Sequence, residues 1–186
     1  MKNPLIHYQL IPTRDSDSYK NMKENETGLP LPPHVGAFAV PRKYHTHEGI
    51  DLYAPQGTPV CAIEDGIVVN IIPFTGAHTT PPTPWWHNTD AVLVEGTSGV
   101  FVYGEITPVS ALKVGQKINA GDIVGYIARV LKKDKGRPRD MLHLELYTPG
   151  TRDTFAWETG VKKIESLLDP TPALMKIARH QKHPKK

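Results

Sequence analysis

The stretch Met141-Leu142-His143-Leu144-Glu145-Leu146-Tyr147 (MLHLELY) alternates apolar and polar side chains from Leu142 onward. Successive side chains of a β-strand point to opposite faces, so the three leucines predict one face buried in a core. His143, Glu145 and Tyr147 then share the other face. An imidazole that faces a groove from a rigid strand is well placed to bind a metal. On its own, the pattern is also that of an ordinary strand with one polar face.

Further segments with the same two-residue period recur along the chain between turn signals; they are Thr58–Ile63, Gly66–Ile72, Asp90–Glu95, Val100–Ile106 and Ile123–Val130. Several short strands at this spacing predict a mainly β fold, either an antiparallel β-sandwich or an open barrel. One short C-terminal helix is predicted over Val161–Leu168, where apolar residues recur at helical spacing and Asp169-Pro170 ends the run.

The chain divides into three parts by composition. Residues 1–33 are polar and end in a proline-rich run, which predicts an extended N-terminal arm or linker. Residues 34–150 contain the predicted strands and form the domain. Residues 151–186 are predicted to be a C-terminal extension with the short helix and a basic tail.

The net charge of +3 does not describe the body of the chain. Five basic residues and no acidic residue lie between Lys176 and Lys186, so the rest of the chain carries 17 basic and 19 acidic residues. A body near neutrality argues against a nucleic-acid-binding domain, which usually has a basic face. The tail is either a solvated terminus or a contact with an anionic polymer.

Cys61 is the single cysteine, which excludes an intramolecular disulfide and a zinc site built from cysteines. It lies in an apolar run and is predicted to be a buried small residue. The N-terminus lacks the apolar region of a secretory signal, and no stretch approaches the roughly 20 apolar residues of a membrane-spanning helix. We therefore expect neither a signal peptide nor a membrane span.

The segment His45–Leu52 (HTHEGIDL) contains a second imidazole and a carboxylate that are candidates for a metal site. In a straight strand His47 and Asp51 would lie about 13 Å apart, too far to share one metal ion. A bend is required, and Gly49 permits one. Imidazole and carboxylate together suit zinc. The pair alone is also typical of surface residues.

Three segments, taken in order, resemble the lysostaphin/LytM-type zinc metallopeptidases. Residues 47–69 (HEGIDLYAPQGTPVCAIEDGIVV) are similar to the first signature of that family. Residues 114–127 (VGQKINAGDIVGYI) resemble its Gly-Gln and Ala-Gly-Asp segment, and residues 142–147 (LHLELY) its closing strand. The resemblance covers roughly residues 34–150, and the chain is identified as a divergent member of the family.

The resemblance implies a function and a set of ligands. Position by position, it makes His47, Asp51 and His143 the ligands of a zinc ion whose fourth position stays open, as in catalytic zinc sites. The implied fold is a mostly antiparallel β-sandwich with the metal in a groove. The implied activity is hydrolysis of peptide bonds in bacterial peptidoglycan. The peptidoglycan peptide is then the partner and the bacterial cell envelope the expected place of action.

Two positions depart from the family pattern, because both of its non-ligand histidines are missing. One falls on Met141, which cannot take up or donate a proton. The other falls on Glu105, which is a plausible general base once it is partly desolvated. Tyr103 and Glu105 share a face of a regular strand, so both are predicted to line the groove, Glu105 as the catalytic residue and Tyr103 as a substrate contact.

Trp85 and Trp86 lie in the insert Pro73–Thr89, which is too rich in proline for regular structure. The two indoles either pack a loop or form a groove wall that stacks on substrate. Three further imidazoles are candidates to reach the site from loops; these are His45, His78 and His87.

Three interpretations follow from these residues. In the first, the protein is an active zinc peptidase with Glu105 as base. In the second, it is an inactive zinc-binding module that binds cell wall or a protein partner, as Met141 suggests. The third is a carrier domain of the biotinyl or lipoyl type, in which similar Ala-Gly-Asp turns occur. Lys113 and Lys117 lack the hairpin-tip setting of a modifiable carrier lysine.

Overall fold

The structure, a computed structural model, describes residues 1–134, 136 and 138–182. Its elements are β1 (Gln9–Thr13), a 3-10 turn (Ser18–Asn21), β2 (Glu26–Pro30), β3 (Ile50–Tyr53), β4 (Pro59–Cys61), β5 (Gly66–Thr75), β6 (Thr89–Gly96), β7 (Gly99–Pro108), β8 (Lys117–Ile118), β9 (Ile123–Ile127), β10 (Met141–Tyr147), β11 (Leu167–Leu168) and α1 (Thr171–Lys182). The predicted mainly β fold is confirmed, and each of the six predicted strand segments contains a strand.

Nine strands form one sheet in which β11, β10, β7, β6, β5 and β8 are successive neighbours. β3 pairs with β10, β9 with β7, and β4 with β9. The pairings within this sheet are antiparallel, as predicted. β1 and β2 form a separate parallel pair. Strand β10 lies between β7 and β3, so its side chains are held from both sides.

The alternation of β10 sorts its side chains as the sequence predicts. Leu142 and Leu144 are fully buried in the main apolar core. Tyr147, on the opposite face, belongs to a smaller apolar cluster that also contains Val102. His143 lies on this second face, beside the ring of Phe74. The predicted burial of Cys61 is also confirmed, since 1% of that residue is exposed.

The N-terminal residues are not a free arm or linker, which corrects the prediction for residues 1–33. Leu5, Leu10 and Leu29 are fully buried in the main core. The amide of Gln181 in α1 donates to the carbonyl of Tyr8 at 2.9 Å, and the Leu10 N–H donates to the Gln181 side chain at 3.1 Å. The prediction rested on the polar composition of the segment and overlooked its three widely spaced leucines, which α1 helps to cover.

A short C-terminal helix is present, but its position corrects the prediction of a helix over Val161–Leu168. Val161 is exposed, and the last two residues of that range form β11 against β10. The helix begins at Thr171, where the Asp169 carboxylate accepts the Thr171 N–H at 2.8 Å. Asp169-Pro170 therefore starts a helix instead of ending one. Residues 183–186 of the predicted basic tail lie outside the described residues.

The proline-rich insert is irregular over residues 76–88, as expected, although β5 continues into it as far as Thr75. In the described part of the chain, no helix has the length and apolar character needed to cross a bilayer.

Candidate metal centre

Three segments bring the predicted ligands together. His47 precedes β3, Asp51 lies within β3, and His143 lies opposite Asp51 in the β3–β10 ladder. The chain bends at Gly49, where a Cβ atom would stand 2.5 Å from the Leu144 carbonyl oxygen and 2.9 Å from the His143 ring. Glycine at this position therefore permits the bend and also the close approach of β10.

The structure places three ligand-type atoms of these residues around one point. Asp51 Oδ1 lies 3.1 Å from His47 Nε2 and 3.0 Å from His143 Nδ1, and the two ring nitrogens are 3.3 Å apart. All three residues are buried. Four ligands held at about 2.0–2.1 Å around a tetrahedral zinc ion are about 3.3 Å from one another. The observed spacing fits three of those four positions.

The remaining nitrogen of each histidine is bound in a way that selects the tautomer. His47 Nδ1 lies 2.8 Å from the carbonyl of Ala37, which only accepts, so Nδ1 carries the proton. His143 Nε2 donates to the Glu145 carboxylate at 3.0 Å. In the neutral rings, the lone pairs of His47 Nε2 and His143 Nδ1 therefore both face Asp51 Oδ1. Three converging lone pairs repel one another unless a cation lies between them, and this donor set suits zinc.

Asp51 also has a cationic partner, Arg42, that the sequence did not indicate. Arg42 Nη2 donates to Asp51 Oδ2 at 2.6 Å and to the Val35 carbonyl at 2.9 Å. Burial opposes ionisation of Asp51, but His47, His143 and Arg42 together hold its pKa well below the usual range. The carboxylate is therefore ionised near neutral pH, as a metal ligand must be.

A buried proton on His143 is stabilised by its two carboxylate neighbours. Burial alone lowers the pKa of this imidazole, but the hydrogen bonds to Asp51 and Glu145 raise it well above the ordinary value. A metal ion bound by His143 Nδ1 would therefore have to displace a proton.

Glu105 lies beside this group, on a bulge in β7. Asp90 and Val92 of β6 stand opposite Ile106 and Tyr103, so two residues of β7 (Gly104 and Glu105) lie opposite one residue of β6 (Ala91). Glu105 adopts a left-handed backbone, with φ of 62°. For a residue other than glycine this conformation costs about 1 kcal/mol or more, and such strain collects at functional sites.

The surroundings of the Glu105 carboxyl group favour its protonated form. Burial, and after it the charge of Asp51, raises the pKa of Glu105 to about 8, while His143 and Arg42 act in the opposite direction. Its Oε2 atom is buried and has no hydrogen-bond partner among the described residues. A strained, desolvated carboxyl group next to the candidate metal ligands is itself a candidate for proton transfer.

The bulge overturns the prediction that Tyr103 and Glu105 share a face. Tyr103 is 1% exposed in the main core, where its hydroxyl accepts the N–H of Ile63 at 2.8 Å. Ile106 belongs to the same core, although a regular strand would place it on the opposite face from Tyr103. The extra residue of the bulge shifts the alternation of faces by one position. Ile106 therefore shares the core face with Tyr103, and Glu105 does not. Tyr103 therefore does not line a groove.

The other predicted residues lie at different distances from the ligands. His45 is half-buried and interacts electrostatically with His47 and His143, and burial lowers its pKa. His78 instead bonds Asp90 at 3.0 Å, and no hydrogen bond links its side chain to the ligands. Met141 stands opposite Tyr53 in the β3–β10 ladder, next to the site, but offers no titratable group.

The two tryptophans form an exposed pair on the insert. Trp85 is 62% exposed, and its ring meets that of Trp86 edge to face at 6.1 Å. The backbone of Trp86 also forms an isolated antiparallel β-bridge with that of Leu131. Their indoles are therefore held in a loop that is anchored to the segment before β10. The backbone N–H of His87 likewise donates to Val130 in this segment.

Sequence reasoning missed three groups that complete the centre. These are Arg42, the Ala37 carbonyl and the role of Glu145 as the partner of His143. The alternation of β10 places Glu145 on the face of His143, so that contact was accessible from the sequence. No sequence signal located Arg42 or Ala37, because a loop brings them to the site.

Residues 45–154, more than half of the chain, match the model of peptidase family M23. The fold is similar to the catalytic domain of the antimicrobial peptidase lysostaphin from Staphylococcus simulans, at 19% identity and a TM-score of 0.50, covering 88% of this chain and 99% of that one. CbpA from L. salivarius REN is similar at 23% identity and a TM-score of 0.47, covering 78% and 88%. Among curated proteins, no sequence match was found. The chain belongs to peptidase family M23.

Proposed function

We propose that the protein is a zinc-dependent peptidase that hydrolyses peptide bonds of bacterial peptidoglycan. The observation that carries the proposal is the convergence of the His47, Asp51 and His143 ligand atoms within 3.3 Å of one another. The outer nitrogens of both imidazoles contact Ala37 and Glu145, which favours the tautomer that a metal requires. Membership of peptidase family M23 supports the same reaction class.

His47 Nε2, Asp51 Oδ1 and His143 Nδ1 would hold the ion. Zinc at this place would supply Lewis acidity that polarises the scissile carbonyl and acidifies the attacking water. The chain itself provides orientation, because Ala37 and Glu145 fix the two rings through their outer nitrogens. Phe74 packs against His143 and excludes water from that side of the site.

Glu105 is the proposed general base. Its unpartnered Oε2 accepts a proton from water and later returns it to the leaving amine. The Asp51 charge contributes to the raised pKa of Glu105, so a cation bound to Asp51 would lower this pKa toward the range of a base that works near pH 7.

A catalytically inactive module that binds cell wall or a protein partner is the second candidate. The observation that favours it is Met141, which has no group for proton transfer at a position where the family pattern has a histidine. In either case we propose Trp85 and Trp86 as contacts for the cell-wall ligand, since the exposed indole pair offers flat faces for stacking.

The experiment that separates the two candidates incubates zinc-loaded protein with purified peptidoglycan and follows the release of new amino groups. Hydrolysis is expected from the parent and from His180→Ala, which removes an exposed imidazole on α1. We expect no release from His143→Ala. A parent that sediments with the wall but releases no amino groups would favour the binding module.

A further inference from the structure

The two oxygens of Asp51 have different partners. Oδ1 faces His47 Nε2 and His143 Nδ1 at 3.1 and 3.0 Å. Oδ2 instead accepts from Arg42 Nη2 at 2.6 Å, a short, charge-assisted contact. One oxygen therefore lies among the three candidate ligand atoms, and the other contacts the guanidinium group.

Arg42 is held in place from both sides. The same Nη2 atom donates to the Val35 carbonyl at 2.9 Å. The surrounding loop is tied to His47 by backbone bonds, from the His47 N–H to Val40 and from the Ala39 N–H to His47. A guanidinium group carries its N–H donors in a rigid planar fork, which suits a fixed contact with a carboxylate oxygen.

A carboxylate ligand binds a metal through one oxygen or through both, and zinc sites extend to five ligands when a further donor is within reach. An oxygen already engaged by a guanidinium group is a poor second donor. We propose that Arg42 is a positioning residue that keeps Oδ2 of Asp51 in a hydrogen bond, so that this carboxylate binds the metal through Oδ1 alone. The inference rests on the proposed function, because the metal is the ion proposed there.

The consequence for a peptidase is that coordination space stays open. A metal ion held by His47, His143 and a single Asp51 oxygen would leave coordination positions for water and for a substrate carbonyl. Arg42 also offsets the negative charge of Asp51, which would leave more positive charge on such an ion. Both effects act through Asp51, and neither requires Arg42 to touch substrate.

The test uses cobalt(II) in place of zinc, because its visible absorption reports coordination geometry. The full-length parent is compared with Arg42→Met, which removes the donor, and with Arg42→Lys, which retains a charged donor. Arg42→Gln is a second neutral variant in case the methionine variant does not fold. Arg152→Met is the matched control, since Arg152 pairs with Glu95 at 2.8 Å on the exposed surface.

The visible band of cobalt-loaded Arg42→Met and Arg42→Gln is expected to be at least about twofold weaker than that of the parent, as an added ligand oxygen raises the coordination number. Arg42→Lys and Arg152→Met are expected to match the parent. A parent-like band in both neutral variants would overturn the inference. A parent that binds no cobalt would overturn the inference and the proposed metal site together. If the bands are as expected but the zinc-loaded parent releases no amino groups from peptidoglycan, the inference is supported and only the proposed hydrolysis is contradicted.

Discussion

At the scale of single residues, Glu105 combines a left-handed backbone with a buried, unpartnered carboxyl oxygen beside the candidate metal ligands. If it is the base, Glu105→Gln keeps the shape of the side chain and its capacity for hydrogen bonding but removes the proton acceptor. We expect peptidoglycan hydrolysis to fall by about 10²–10⁴-fold, while zinc stays bound. Glu165→Gln, at an exposed position, is the control for the substitution itself. Undiminished hydrolysis in Glu105→Gln would remove Glu105 from the mechanism.

The raised pKa of Glu105 also predicts how stability depends on pH in the chelator-treated protein. The pKa is about 8 in the folded protein, against an ordinary value of 4.5. The folded state therefore holds this proton more tightly than the unfolded chain does. The contribution of Glu105 to stability is complete below about pH 4.5 and is lost as the pH rises through 8.

Thermal melts of metal-free parent and Glu105→Gln at pH 5 and pH 8 measure this effect. The glutamine variant cannot ionise, so its melting temperature is expected to rise relative to the parent between the two pH values. A constant difference would mean that Glu105 has an ordinary pKa in the folded protein.

At the scale of elements, β10 carries both core and site on its two faces. Leu144 is fully buried in the main core, so Leu144→Ala is expected to destabilise the protein by about 2–5 kcal/mol. Glu145→Gln changes little of the packing, but it replaces the charged partner of His143 and is expected to weaken zinc binding by about 10–100-fold. Denaturant unfolding and zinc titration measure the two effects. If Leu144→Ala weakens zinc binding and Glu145→Gln lowers stability instead, the face assignment is wrong.

The strands were predictable from the sequence wherever alternation was regular, as in β10. The bulge at Glu105 was not, because a positive φ at a residue other than glycine depends on the packing of β6 and β9 around it. The helix begins further along the chain than predicted for a similar reason. Leu167 and Leu168 fit a helical spacing, but the end of β10 that extends past β3, at Leu146 and Tyr147, offers backbone partners that a local pattern does not reveal.

At the scale of the whole molecule, the N-terminal segment and α1 close over the same side of the core. Leu10 near the N-terminus and Leu174 in α1 are both fully buried there, and Gln181 joins the two segments. Contacts between residues more than 170 positions apart have no local signature, so the N-terminal segment was predicted as an arm.

The candidate site was predictable to the extent that its ligands lie in recognisable motifs. His47, Asp51 and His143 fall in two such segments, and the structure brings them together. Arg42, which holds Asp51, lies in a loop without a motif, and only the folded chain places it.

The central claim is that His47, Asp51 and His143 form one zinc site, and zinc content per chain tests it most directly. We expect about one zinc per chain in the purified parent and in His78→Ala, whose imidazole bonds Asp90 and not the ligands. His47→Ala and His143→Ala each remove one of three protein ligands, so the zinc is expected to be lost from both. Equal zinc content in these variants and the parent, or a parent that binds none when zinc is supplied, would contradict the account.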